Sequence, residues 1–258
     1  MSTQAQGTTP AEDAALPGLR RRVEEASLNA WPAMHQVLLD GWILRMTGGF
    51  TKRANSVTPI YPGLTNYAEK VRYCENLYAR EQLTTIFRLT SISEQQDLDG
   101  FLDQRGYRQD ETSLVLTAPI PPREMTPDMH LLTVNDWLHV YSELTGLPEK
   151  ARHLHQVILN AIRGDCAFAV LQIHGQPLAC GLSVADQELI GLFDVVTHVE
   201  HRRAGHARSL VSSLLERGRR DGRSRAYLQV LAHNQPALAL YHELGFSELY
   251  RYWYRLSR

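Results

Sequence analysis

The run from Leu192 to Phe246 constrains this chain most. It reads as a strand, a glycine-bearing turn, a long amphipathic helix, a strand and a short helix ended by Gly245-Phe246. In the long helix, expected over roughly 204–220, Ala207, Leu210, Val211, Leu214, Leu215 and Gly218 share one face at i, i+3, i+4, i+7 and i+8 spacing. Such a stripe buries itself against a sheet. A strand, a helix and a strand in succession imply parallel pairing through a crossover. The expected fold class is therefore α/β, an α+β mixed sheet with a central twisted sheet and flanking helices.

The rest of the chain divides at its prolines. Residues 1–18 are small and polar, and the expectation is a disordered tail. Pro119, Pro121, Pro122 and Pro127 mark a semi-rigid linker over 119–128, because proline removes backbone donors and fixes φ. The first unit, 19–118, reads as strand material at 37–47 and 55–61, a helix at 66–81 and a strand at 85–89. A helix at 96–105 ended by Gly106 and a closing strand at 113–117 follow. The second unit, 129–258, opens with a strand at 130–134 and a helix capped by Asn135 or Asp136. Next come a helix at 149–163 and strands at 167–174, 177–185 and 189–197. The long helix, a strand at 226–231, a helix at 236–244 and a strand at 248–256 complete it. Both units end helix, glycine, aromatic, strand (Gly106-Tyr107 and Gly245-Phe246), which fits either an internal duplication or a common helix ending.

Composition narrows the function classes. Of 258 residues, 43 % are hydrophobic and 21 % charged, with a net charge of −1, which excludes wholesale disorder. A nucleic-acid binder would carry a basic excess, so none is expected as partner. No apolar stretch is long enough for a membrane helix, and the N-terminus lacks the pattern of a signal peptide. Cys74, Cys166 and Cys180 are odd in number and widely spaced, so a reducing, cytoplasmic setting is the expectation. His198, His201 and His206 have irregular spacing in a basic loop with no completing carboxylate or cysteine, and no metal site is expected. Oligomeric state is not encoded legibly.

Chemistry enters at Arg202–Arg208. A helix's first turn offers free N–H groups and the positive end of its dipole. Gly205 leaves the backbone open, Ala204 and Ala207 keep the approach narrow, and Arg202, Arg203 and Arg208 add charge that suits a diphosphate. Taken alone, R-x-x-G-x-A equally fits a glycine that eases helix packing. Downstream, Asn234-Gln235-Pro236 opens a helix with Ala237, Leu240, Tyr241 and Leu244 on one face.

Together F-D-V-V-T (193–197), R-x-x-G-x-A (202–207) and N-x-x-A-x-x-L-Y-x-x-L-G-F (234–246) resemble the GNAT superfamily of acyl-coenzyme-A-dependent N-acetyltransferases, over about residues 129–258. The resemblance implies a GNAT-like sheet, preceded here by a smaller, degenerate GNAT-like unit that lacks the coenzyme loop and has Leu102 where Tyr241 stands. Some tandem members, mycothiol synthase-like proteins among them, pair one active with one decayed unit. It further implies acetyl-CoA as donor, with Val195, Val196 and Thr197 along the pantetheine. Backbone N–H groups from Arg203 through Ala204, Gly205, His206 and Ala207 to Arg208 would meet the pyrophosphate, beside Arg202, with Asn234 near the pantetheine. Val199 stands where the family often has proline, and His206 where it has a small or apolar residue.

The implied reaction is acetyl transfer to a primary amine of a small molecule or peptide by direct attack on the thioester. The amine must lose a proton to a base, and the departing thiolate needs an acid. Tyr241, a phenol of ordinary pKa about 10, is the candidate acid, or else an aromatic that packs its helix. Asp194 interrupts an apolar run. A carboxylate there is costly unless it faces a cleft or a partner, so it is a base, an amine anchor, or the partner of a structural arginine. Glu188 and His198 are second candidates. The basic group Arg217, Arg219, Arg220, Arg223 and Arg225 is a solvated helix end or a contact for the coenzyme's 3′-phosphate. Residues 48–56 read as a flexible polar loop lining the acceptor cleft. An acyl-CoA-binding regulatory module without turnover, or an aminoacyl transferase on the same scaffold, are the alternative functions.

Overall fold

The computed structural model describes residues 10–122 and 128–258. The linker expected over 119–128 therefore lies partly outside the described residues, as do positions 1–9 of the expected tail. Positions 10–18 belong to a helix, α1 (Pro10–Ala30), that local patterning missed because Pro10, Pro17 and Gly18 weigh against it. The first half continues with β1 (His35–Leu39), β2 (Trp42–Met46), β3 (Val57–Pro59), α2 (Tyr67–Arg80), β4 (Ile86–Thr90), α3 (Leu98–Gln104) and β5 (Arg108–Pro119). The second comprises β6 (His130–Leu131), α4 (Val134–Thr145), α5 (Glu149–Ala161), β7 (Asp165–Ile173), β8 (Gln176–Asp186) and β9 (Leu189–Thr197). It ends with α6 (His206–Arg220), β10 (Arg225–Leu231), α7 (Gln235–Glu243) and β11 (Ser247–Leu256).

Two local readings change. The run 37–47 is a hairpin, not one strand, because Asp40 and Gly41 take positive φ (42° and 85°) in the tight turn that aspartate-glycine favours. The cap of α4 is Thr133, whose Oγ1 accepts from Asp136 N–H at 3.2 Å.

All eleven strands form one mixed sheet in the order β1-β2-β3-β4-β11-β5-β10-β9-β8-β7-β6. β3 pairs parallel with β4, and β9 with β10. The two units are interleaved in this sheet. β11 inserts between β4 and β5, while β5 runs antiparallel to both β11 and β10. From β1 to β7 the order is palindromic, each half giving its last strand to the other. α6 and α7 cover one face of the second half, packing Leu210, Leu214 and Tyr241 on Leu192 and Leu228. On the other face, α1, α4 and α5 bury Trp31, Trp137, Ile158 and Phe193. Gly218 lets α6 approach closely, since a Cβ there would lie 2.9 Å from Ile190. Among the described residues no helix is long and apolar enough to cross a membrane.

A buried ion pair ties α1 across the seam. Glu24 takes both Arg88 nitrogens, Nη2 at 3.1 Å, and the Tyr250 hydroxyl at 2.6 Å. Burial would raise the Glu24 carboxyl, but Arg88 and then Tyr250 more than offset this and hold it below its ordinary 4.5. A carboxyl lowered by folding contributes stability above its unfolded value, lost as pH falls through the folded one. Arg88→Met leaves that carboxylate buried and unpaired, at a cost of about 3–5 kcal/mol at neutral pH. The sign then reverses, because protonating Glu24 relieves the variant. Urea unfolding at pH 7 and pH 5 should show the gap between variant and parent narrow with acid. A constant gap would mean that Glu24 is not the group left unpaired.

Candidate active site

β9 and β10 run side by side from Leu189↔Arg225 to Leu192↔Leu228 and then part. Beyond this point β10 stays on β5, with Gln229 opposite Val115 and Leu231 opposite Ser113. β9 stays on β8, with Val196 opposite Cys180 and Thr197 opposite Ala179. The divergence starts at a bulge where the β8–β9 register slips between Cys180 and Leu182 and Asp194 adopts φ +51°. Aspartate is among the few non-glycine residues that tolerate this region. Below the bulge, His198 N–H donates to Leu178 O on β8 at 2.8 Å. Strand alternation therefore turns Val196 toward β8 as well, and Thr197 and Val195 toward the open split.

The bulge carries the Asp194 carboxylate onto the α5 face, where His155 Nε2 lies 2.9 Å from Oδ2. A carboxylate only accepts, so Nε2 holds the hydrogen and donates. His155 is 1 % exposed. Trp31, Phe50, Tyr141 and Trp137 surround its ring at 5.5, 5.2, 5.1 and 6.1 Å between centroids. Among the described residues Nδ1 has no partner, and no second side chain is bonded to Asp194. Burial and the Asp194 charge both push the Tyr141 hydroxyl and the Cys180 thiol up, so both stay neutral. Asp194 is thus paired to a histidine and not to a structural arginine. His155 escaped sequence reasoning, although its place on the stripe with Ile158, Leu159 and Ile162 was a usable signal.

At the other end of the split lies the loop into α6. Arg203 (φ +62°) and Gly205 (φ +86°) are both left-handed, and Gly205 is the N-cap. The helix ladder begins with Ser209 N–H to Gly205 O at 3.0 Å. Among the described residues no N–H from Arg203 to Arg208 donates to a carbonyl outside the helix. A Cβ on Gly205 would meet nothing within 4 Å, so the loop is open on that side. This concavity of unused N–H groups at a helix start fits a diphosphate. Glycine serves the backbone conformation there as much as clearance. Arg208 is paired with Glu243 of α7, while Arg202 and Arg203 have no ion pair among the described residues. The rings of His198 and His201 stand 5.1 Å apart, and those of His201 and His206 6.3 Å.

Asn234 caps α7, its Oδ1 accepting from Ala237 N–H at 3.3 Å. Tyr241 is buried beside Phe246 in the cluster that includes Val195 of β9, and burial pushes its hydroxyl up to about 12. Glu188 is displaced from the site: it pairs with Arg22 at the start of β9, roughly 20 Å of extended chain from Asp194. His198 Nδ1 accepts from Glu200 N–H inside the cradle loop. The Arg217–Arg225 group sits at and beyond the C-terminal end of α6, about 16 Å or more along the helix from the cradle. That separation sets it apart from the cradle loop. Arg219 and Arg220 instead clasp the buried Glu216 at 2.8 and 2.7 Å.

On the α1 face, Arg53, Thr51, Glu111, Gln229, Leu231 and Tyr252 line a cleft of about 480 Å³ at the mouth of the split. The loop 48–56, expected to be flexible, contributes to this cleft and is pinned. Asn55 Oδ1 accepts from Thr47 and Gly49 N–H at 2.7 and 2.9 Å, and its Nδ2 donates to Phe50 and Thr51 carbonyls at 2.7 and 2.9 Å.

The chain and its fold are similar to known proteins. The chain is 26 % identical over 247 residues to the uncharacterized N-acetyltransferase YobR of Bacillus subtilis (strain 168), covering 92 % of this chain and 98 % of that one. A GCN5-related N-acetyltransferase from Kribbella flavida superposes with TM-score 0.68 at 15 % identity, over 92 % of this chain and 95 % of the other. Another from Sphaerobacter thermophilus gives 0.64 at 15 % identity, over 95 % and 92 %. A tandem GNAT protein of clavulanic acid biosynthesis gives 0.57 at 13 % identity, over 96 % of both chains. These structural likenesses show a common fold. The model of the probable histone acetyltransferase Rv0428c C-terminal family matches residues 19–255, so the chain belongs to that family and is a GNAT-type N-acetyltransferase.

Proposed function

We propose that the protein transfers an acetyl group from acetyl-CoA to a primary amine of a small molecule or peptide. One observation carries the reading: the β9–β10 split joins unused N–H groups at the start of α6 to a carboxylate held by His155 at the bulge. When bound, acetyl-CoA supplies an activated acetyl group on a thioester. The N–H groups from Arg203 to Arg208 hold its diphosphate, and the open edge of Val195 and Thr197 orients the pantetheine. Asp194 accepts the ammonium proton at Oδ1, while His155 fixes the carboxylate through Oδ2. The Val195 N–H, turned into the split, would stabilise the thioester oxygen as it gains charge. Tyr241, kept protonated by burial, donates to the departing sulfur.

The first half we read as a degenerate copy of the second. The palindromic sheet supports this, and so does the start of α2. There Asp40 places Oδ1 and Oδ2 2.9 and 2.8 Å from the N–H groups of Leu64 and Thr65, which lower its carboxyl to about 2. An internal carboxylate thus occupies the place where the second half keeps its N–H groups free. The free cysteines fit a cytoplasmic setting.

Thiol release from acetyl-CoA across amino acids, polyamines and a lysine peptide of histone-tail type tests the reading. The peptide belongs in the panel because the family's name concerns histones. Coenzyme binding with no thiol released from any amine would make the protein a regulatory acyl-CoA module. Charged transfer RNA as donor tests the aminoacyl alternative. Tyr241→Phe should slow turnover about ten- to a hundredfold with unchanged coenzyme affinity. Parent-like turnover would return Tyr241 to a packing role.

A further inference from the structure

The cleft on the α1 face lies where an acceptor would enter, since Gln229 and Leu231 are β10 residues beyond the last β9 partner, Leu228. Arg53 stands in its wall with no ion pair among the described residues, and Arg45 lies behind it against the Arg53 backbone. Arg45 is 1 % exposed and donates to backbone carbonyls alone: Arg53 O at 2.9 Å, Leu28 O at 3.2 Å and Trp31 O. Burial, reinforced by Arg88, lowers it to about 10, so it is still a cation at neutral pH. The Arg53 guanidinium lies 4.6 Å from the Trp31 ring and 5.8 Å from that of Phe193, the residue before Asp194. Its Nη1 donates to Gln229 Oε1 at 3.4 Å, and Nε and Nη2 have no partner among the described residues.

Nearby cations are treated differently. Lys52, one residue away, is held by Asp110 and Glu111 at 2.6 and 2.7 Å. Arg88 has Glu24, and Arg255 has Asp99 and Asp103. Glu111, the acidic residue of the cleft, is engaged by Lys52. Uncompensated charge beside a half-buried wall is costly unless an anion arrives. A planar fork with one free edge matches a carboxylate through two parallel bonds.

We propose that the acceptor amine carries a carboxylate and that Arg53 binds it. This deepens the acetyl-transfer reading and rests on it. Matched pairs that differ by one carboxylate test it: lysine against cadaverine, ornithine against putrescine, phenylalanine against phenethylamine. In the parent, kcat/KM should favour a carboxylated member by about tenfold or more. Arg53→Met keeps the stem on Trp31 and removes the fork. It should erase that ratio and leave the carboxylate-free amine unaffected, while Arg53→Lys restores part of it. Equal rates within every parent pair, or an Arg53→Met loss shared by both members, would overturn the proposal. Calorimetry of lysine and phenylalanine with the coenzyme-A-loaded protein needs no turnover. Binding that requires Arg53, with no thiol released from any amine, would sink the transfer reading and spare this site. Thiol release with binding indifferent to Arg53 would do the reverse.

Discussion

Gly205→Glu should weaken coenzyme A binding by at least about a hundredfold, with the fold intact. Gly205 caps α6 at φ +86°, where a side chain costs roughly 1–2 kcal/mol of backbone strain. A glutamate at a helix N-terminus recovers about 0.3–1 kcal/mol from the helix dipole, so net destabilisation is small. Its carboxylate can then satisfy the N–H groups that the diphosphate would use and repel the diphosphate as well. The chain already contains such a plug in Asp40, which bonds the N–H groups ahead of α2. Gly205→Ala is the control: its Cβ meets nothing within 4 Å, so it should lower stability by about 1 kcal/mol yet bind coenzyme nearly normally. Calorimetry reads affinity and urea unfolding reads stability. Parent-like affinity in Gly205→Glu would place the coenzyme elsewhere.

What the sequence revealed followed how local each feature is. β9 matches its expected limits, and α6, β10, α7 and β11 fall within two residues of theirs, because stripe, cap and glycine stop agree within each segment. The cradle was legible for the same reason, since its N–H groups come from consecutive residues. α1 was not: its prolines and glycine argue against a helix, and its stability comes from packing Val23, Ala26 and Trp31 against distant strands and from the Glu24–Arg88 pair. Nor does local patterning encode that β5 and β11 exchange halves, since their pairing joins segments more than a hundred residues apart. The Asp194–His155 pair was half legible. Asp194 declared itself by breaking an apolar run, but His155 lies 39 residues away on another element. The bulge that joins them follows from backbone conformation at one residue.

Asp194→Asn should reduce kcat by about 10²- to 10⁴-fold, the range of a lost general base, with coenzyme affinity unchanged. Asparagine keeps the shape and still accepts from His155 Nε2 through its amide oxygen, so the bulge and the aromatic surround persist while the proton acceptor is gone. His155 acts through Asp194, so its variants must separate positioning from packing. His155→Phe keeps a ring among Trp31, Phe50, Trp137 and Tyr141 and loses only the donor. With the carboxylate free to turn, kcat should fall about tenfold or more while KM for the amine moves little. His155→Gln restores an N–H donor and should recover part of the loss. In the double variant with Asp194→Asn, His155→Phe should add almost nothing, since groups that work as a unit are not additive. Full activity in Asp194→Asn would move the base elsewhere. A His155→Phe loss that persists undiminished in the Asp194→Asn background would reduce His155 to a packing residue whose effect does not pass through the carboxylate.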